Sequence, residues 1–198
     1  MSEMLTIAES DAAIDTTPAL GPGKLVLVVG PSGAGKDTLL KLAQAACAED
    51  PSFVFARRVV TREASGSEDN EQMNPDDFRV AQARGDFAVH WEAHGHAYGL
   101  LRSINDDIRA GRTVVANVSR TVVPSLRRAY AHVVVIAVTA PAEVLARRLA
   151  MRKRGSDGNI GERLARVVED AAPDATIVNV ASAEYHARQL LRLIGAGD

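Results

Sequence analysis

Five apolar residues, Leu-Val-Leu-Val-Val at 25–29, run directly into Gly-Pro-Ser-Gly-Ala-Gly-Lys-Asp-Thr at 30–38. This is the spacing G-x-x-x-x-G-K with a β-branched strand before it and a helical pattern after it, and that context makes the pattern informative. Gly30, Gly33 and Gly35 allow a tight turn in which successive N–H groups point inward. Pro31, Ser32 and Ala34 complete the loop, and the helix beginning near Lys36 adds its positive end. Such a nest suits a polyphosphate, with Lys36 reaching the β- and γ-phosphates of ATP or GTP. One position departs from the pattern. Asp37 stands where Ser or Thr usually puts a hydroxyl on Mg²⁺. Asp37 and the following Thr38 are therefore the metal-side candidates.

The chain has 198 residues, 46% of them hydrophobic, which suits one compact domain with a full core. Its net charge of −2 argues against nucleic acid as a partner. Cys47 is the only cysteine, so a disulfide framework is excluded and a thiolate metal site is disfavoured. Cys47 reads as a small buried filler of the helix after the loop. No apolar stretch approaches the ~20 residues of a membrane span. Residues 1–23 carry four acidic residues and no Lys or Arg, unlike a signal or transit peptide. Residues 1–22 are expected to be a flexible tail and residues 23–198 a single domain of a cytoplasmic protein.

Strand patterns are predicted at 25–29, 54–60, 113–118, 132–138 and 176–180. Helical patterns are predicted at 36–48, 103–110, 121–130, 141–152, 161–171 and 182–194. Pro141 suits a first helical turn and Gly111 a helix end. The alternation predicts an α/β fold, a parallel sheet covered by helices on both faces in three α/β/α layers.

Two segments interrupt it. The first, about 57–101, holds a polar loop, a short helix opening at Asn74-Pro75 (N-cap and first position) and a hairpin over 87–99. His90, His94 and His96 crowd this hairpin, but no cysteine joins them and the spacing suits a hairpin better than a zinc site. Trp91 reads as a packing residue. The second segment, about 148–164, lies in a run (147–166) with seven basic residues against two acidic ones. Beside a phosphate loop, such a run is expected to be a lid that brings positive charge to a transferring phosphoryl group. A GTPase is disfavoured, because the guanine-reading N-K-x-D pattern is missing.

These residues resemble the guanylate kinase-like family of P-loop kinases over about residues 24–194. The anchors are the loop at 30–36, Thr61-Arg62 with Glu68, Phe87 with Gly95, Tyr98-Gly99, and Arg152 with Arg163. The resemblance implies a core, an acceptor-binding insert and a lid, with Mg-ATP as donor. The insert departs from a guanylate kinase. Ser65 and Asn74 stand where that family has a second arginine and a tyrosine. Val89 stands where it has the guanine-reading carboxylate, and Leu100 where it has a hydroxyl. Ala116-Asn117-Val118-Ser119 replaces an acidic segment. Without those acceptors guanine would find no partners, which costs strongly in discrimination. The departures resemble the ribose 1,5-bisphosphate phosphokinase branch of the family: Asp37 after the lysine, the Gly-Ser-Glu-Asp-Asn run at 66–70, the string from Trp91 to Gly99, and Asn117 to Arg120. Glu63 differs from the proline usual there.

That branch implies transfer from ATP to ribose 1,5-bisphosphate, giving 5-phosphoribosyl 1-diphosphate in phosphonate breakdown. Its acceptor is a phosphate oxygen already ionised, so alignment and charge neutralisation suffice and no general base is needed. Lys36, Arg152 and Arg163 are then the expected catalytic residues, with Arg148 and Arg154 as second choices. Arg62, Glu68, Tyr98, Asn117, Ser119 and Arg120 are the expected acceptor-side residues, with Arg58 beside them. Asn179 and Val180 are expected to border adenine. The alternatives are a GMP kinase and a non-catalytic interaction module. A homodimer is left open.

Overall fold

The computed structural model describes residues 18–62, 69–152 and 172–195, with only the backbone of Arg152. Strand β1 (Lys24–Val29) buries five of its six residues because it lies at the centre of a parallel sheet. The order is β2-β7-β1-β8-β9, with β2 Phe53–Ala56, β7 Thr113–Asn117, β8 Val133–Thr139 and β9 Ala175–Val178. All its pairings are parallel. Side chains alternate between faces along a strand, so an unbroken apolar run feeds two cores. Leu25, Leu27 and Val29 join one cluster, and Val26 and Val28 the other. Helices α3 (Ile104–Arg109) and α4 (Val123–Ala129) cover the first face. Helices α1 (Lys36–Ala46), α5 (Ala142–Arg152) and α6 (Ala183–Ile194) cover the second. The three-layer α/β/α expectation holds.

The strand expected over 54–60 is instead two strands in two sheets. β2 ends at Ala56, and β3 (Arg58–Val60) starts a second sheet of order β4-β3-β6-β5. Here β4 is Asn70–Gln72, β5 Phe87–Ala93 and β6 His96–Leu101. Period-two alternation continues across the break and cannot reveal it. The chain turns at Arg57, whose guanidinium bridges to Asp69 at 2.9 Å and donates to the Asn70 carbonyl at 3.3 Å. The insert sheet packs one face on the main core through Val60, Trp91, Tyr98 and Leu100. Its other face is covered by α2 (Pro75–Arg84), with Phe78 stacked on Phe87 at 4.5 Å.

Local chemistry sets the insert's corners. Asn74 caps α2 by accepting from the Asp77 N–H at 2.8 Å. The hairpin turns on His94 and Gly95, both at positive φ (55° and 75°). The helix predicted over 121–130 begins as a 3₁₀ turn, Arg120–Val122, before α4. The tail predicted to reach residue 22 ends sooner. Leu20 donates to the Ala129 carbonyl at 2.8 Å and accepts from the Ala131 N–H at 2.9 Å, so it is part of the domain. The helix expected over 161–171 lies outside the described residues. Among those described, no helix is long and apolar enough to cross a membrane.

Candidate active site

The turn leaving β1 takes positive φ at Gly30, Gly33 and Gly35 (142°, 83° and 90°). A side chain at Gly30 would collide with the Val138 carbonyl, and one at Gly35 with the Asn179 amide. Lys36 opens α1 and folds its ammonium across the loop, donating to the Gly30 and Pro31 carbonyls at 2.7 and 3.0 Å. The loop is buttressed from outside. Asn179 Nδ2 donates to the Ala34 carbonyl at 2.8 Å. Arg148, on α5, donates to the Gly33 carbonyl at 3.4 Å and the Asn179 carbonyl at 3.2 Å. A cleft opens here, lined by Gly33, Gly35, Thr38, Arg148, Met151, Asn179, Ala181 and Ala183.

A second cleft opens on the other side of the start of α1, facing the insert. Asp37, Arg57, Arg58, Asp69, Asn70 and Asn117 line it. Asp37 Oδ1 accepts from Asn117 Nδ2 at 2.9 Å and meets Arg58 Nη2 at 3.4 Å. Arg58 Nε donates in turn to Asn70 Oδ1 at 3.2 Å. One carboxylate thus gathers the end of β7, the start of β3 and the start of β4. Asp37 and Thr38, adjacent in sequence, line different clefts because successive helical positions point about 100° apart.

The other expected site residues divide. Arg62 is half-buried just after β3, where Thr61 Oγ1 accepts from the Ala97 N–H at 2.8 Å and latches that strand end to β6. Ser119 is occupied as a cap, accepting from the Thr121 N–H at 3.3 Å, and Arg120 follows it half-buried. Tyr98 is set into the core and stacks on Trp91 at 5.7 Å, so it supports the insert rather than standing open in a cleft. Val89 and Leu100 are cross-strand partners, and Leu100 is wholly buried. Hydrocarbon therefore fills the place that the resemblance assigns to guanine reading. Glu63, Ser65, Glu68, Arg154 and Arg163 lie outside the described residues, as does the Arg152 side chain.

Sequence reasoning missed Asn70 as the partner of Arg58, and it missed His186. The His186 ring, 4% exposed, receives the N–H groups of Val180 and Ala181. No local pattern marks such a residue, because its partners lie on the preceding loop.

The AAA domain family matches residues 26–169. The ribose 1,5-bisphosphate phosphokinase PhnN of Bradyrhizobium diazoefficiens is 65% identical over 196 residues, covering 98% of this chain and 96% of that protein. The chain belongs to the ribose 1,5-bisphosphate phosphokinase family. A second family member, PhnN of Rhodopseudomonas palustris, is 64% identical over 185 residues, covering 93% of this chain and 95% of its own. Among solved structures, guanylate kinase from Anaplasma phagocytophilum superposes with a TM-score of 0.64 at 22% identity, over 89% of this chain and 86% of that one. At that identity the family shares its fold with guanylate kinase.

Proposed function

We propose that this chain transfers the γ-phosphoryl group of ATP to a phosphate oxygen of ribose 1,5-bisphosphate, releasing 5-phosphoribosyl 1-diphosphate and ADP. The observation that carries this reading is the apolar Val89–Leu100 pair beside an intact phosphate loop. The loop favours a nucleotide donor, and the pair disfavours a guanine acceptor. The names of the close relatives agree. The reaction would serve phosphonate breakdown in the cytoplasm.

The new bond joins an acceptor phosphate oxygen to the γ-phosphorus, the bond to the β–γ bridging oxygen breaks, and that oxygen leaves on ADP. An ionised phosphate needs no base, so the protein acts by alignment and by neutralising charge. The loop amides and Lys36 hold the donor phosphates. Arg58, Arg62 and Asn117 face the acceptor side, with Ser119 and Arg120 at its border and Glu68 beside it on the sequence pattern. Arg152 and Arg163 keep, on the sequence pattern alone, the role of stabilising the transferring group.

The donor set fits Mg²⁺, which takes one or two carboxylates and otherwise water and substrate phosphates. Asp37 is a carboxylate beside the loop, and both of its bonds fall on Oδ1. Asp37 would hold the ion, with Thr38 on the donor side. When bound, the ion supplies neutralisation of the β- and γ-phosphate charge.

The test is incubation with Mg-ATP and either ribose 1,5-bisphosphate or GMP, following ADP and identifying the product. Formation of 5-phosphoribosyl 1-diphosphate with little GDP supports the reading. Rapid GDP formation would mean that other insert residues read the base.

A further inference from the structure

Four described polar residues are buried: Asn70, Asn117, Asn179 and His186. The three asparagines border the two clefts, whereas His186 lines neither. It sits in the first turn of α6, with its ring turned back toward the loop that leaves β9. Nε2 accepts from the Val180 N–H at 3.2 Å and the Ala181 N–H at 3.0 Å. A ring nitrogen facing two donors carries no proton, so the proton is on Nδ1, which donates to Gln189 Oε1 at 2.7 Å.

This arrangement fixes what the loop shows to its other side. In a trans peptide the C=O points opposite to the N–H. The Val180 and Ala181 amides point in at His186, so the Asn179 and Val180 carbonyls point away from it. The Asn179 carbonyl gives the direction, because it receives Arg148, a residue of the donor-side cleft, at 3.2 Å. The loop therefore turns acceptors outward and keeps its donors inside. Adenine carries an amine donor at N6 where guanine carries the O6 acceptor.

We infer that His186 is a positioning residue that sets donor specificity: by holding two amides inward it makes the loop at 179–181 an acceptor edge that takes the adenine amine and rejects guanine O6. This rests on reading the phosphate loop as the donor site. Without the histidine acceptor the two peptides can rotate and offer N–H groups to either base.

The experiment measures kcat and KM for ATP and GTP, at saturating acceptor, in the wild type, His186→Phe and His186→Gln. His186→Phe keeps an aromatic ring but no acceptor. It is expected to raise the ATP KM about tenfold, to shrink the ATP-over-GTP preference by a similar factor and to leave kcat within about twofold. His186→Gln, whose amide oxygen can take the same N–H groups, should keep most of the preference. An unchanged ATP-over-GTP ratio in His186→Phe overturns the inference.

A measurement on the wild type covers a variant that fails to fold. Hydrogen exchange should show the Val180 and Ala181 amides protected before and after a non-hydrolysable ATP analogue is added. Protection that appears only with the analogue means these amides donate to the base, and it overturns the inference. Lys36→Ala separates the two readings. If it leaves ATP binding intact, the donor site itself is misassigned. If it abolishes ATP binding while His186→Phe keeps the wild-type ratio, only the role of His186 fails.

Discussion

Lys36 donates to two carbonyls of its own loop. These are neutral acceptors, and a triphosphate offers charged ones at the same mouth, so the ammonium is placed to exchange one set for the other. Lys36→Ala removes that charge without opening a cavity in either core. It is expected to lower turnover by about 10³ or more while leaving the melting temperature nearly unchanged. Steady-state kinetics alongside thermal unfolding would check this, and near-normal turnover would remove the donor assignment. Arg163→Ala should lower kcat more than it raises the acceptor KM, as for a contact made mainly in the transition state. Single-residue chemistry was legible where it is local: the glycines, Lys36 and the departure at Asp37 stand within nine consecutive residues. The company Asp37 keeps was not legible. Its partners, Arg58 and Asn117, lie 21 and 80 positions away and meet only once the two sheets are assembled.

At the scale of elements, the hairpin β5–β6 shows why Gly99 cannot be larger. A Cβ there would lie 2.6 Å from the ring of Phe87, which also stacks on Phe78 of α2. Gly99→Ala must push that ring out of its stack and should cost about 1–3 kcal/mol of stability. Urea unfolding would measure it, and an unchanged midpoint would mean the ring relocates freely. Tyr130, at the end of α4, ties that helix to α3 through its hydroxyl, which donates to Asn105 Oδ1 at 2.6 Å. Burial chiefly raises its pKa from 10 to about 12, against smaller opposing effects of Arg102 and Arg109. The folded state therefore favours neutral tyrosine, and this stabilisation is complete below pH 10 and lost as pH climbs toward 12. Tyr130→Phe should flatten that alkaline fall in unfolding curves across the window. Helix and strand positions were largely readable, because periodicity and caps such as Asn74 are local. The division of 54–60 was not, since Arg57 interrupts pairing without interrupting alternation.

At the scale of the molecule, the insert is not a separate body. One face of its sheet shares a core with β1, and its polar edge is joined to the phosphate-loop helix through Arg58 and Asp37. Both side chains are largely sheltered, at 15% and 24% exposure, so water screens the pair less than a surface bridge. The bridge connects the part proposed to hold the acceptor with the part proposed to hold the donor. A double-mutant cycle tests whether that connection is energetic. Asp37→Asn removes the charge at nearly constant shape, and Arg58→Gln removes the guanidinium while keeping an amide near Asn70. If the pair couples the two parts, the double variant should be less destabilised than the sum of the singles by about 1 kcal/mol. Arg58→Gln should also raise the acceptor KM more than the ATP KM, because Arg58 lines the cleft on the insert side and not the one beside Arg148. Denaturant unfolding of the four proteins gives the first quantity, and initial rates with each substrate varied give the second. Strict additivity with equal changes in both KM values would mean that the shared core alone aligns the two sites.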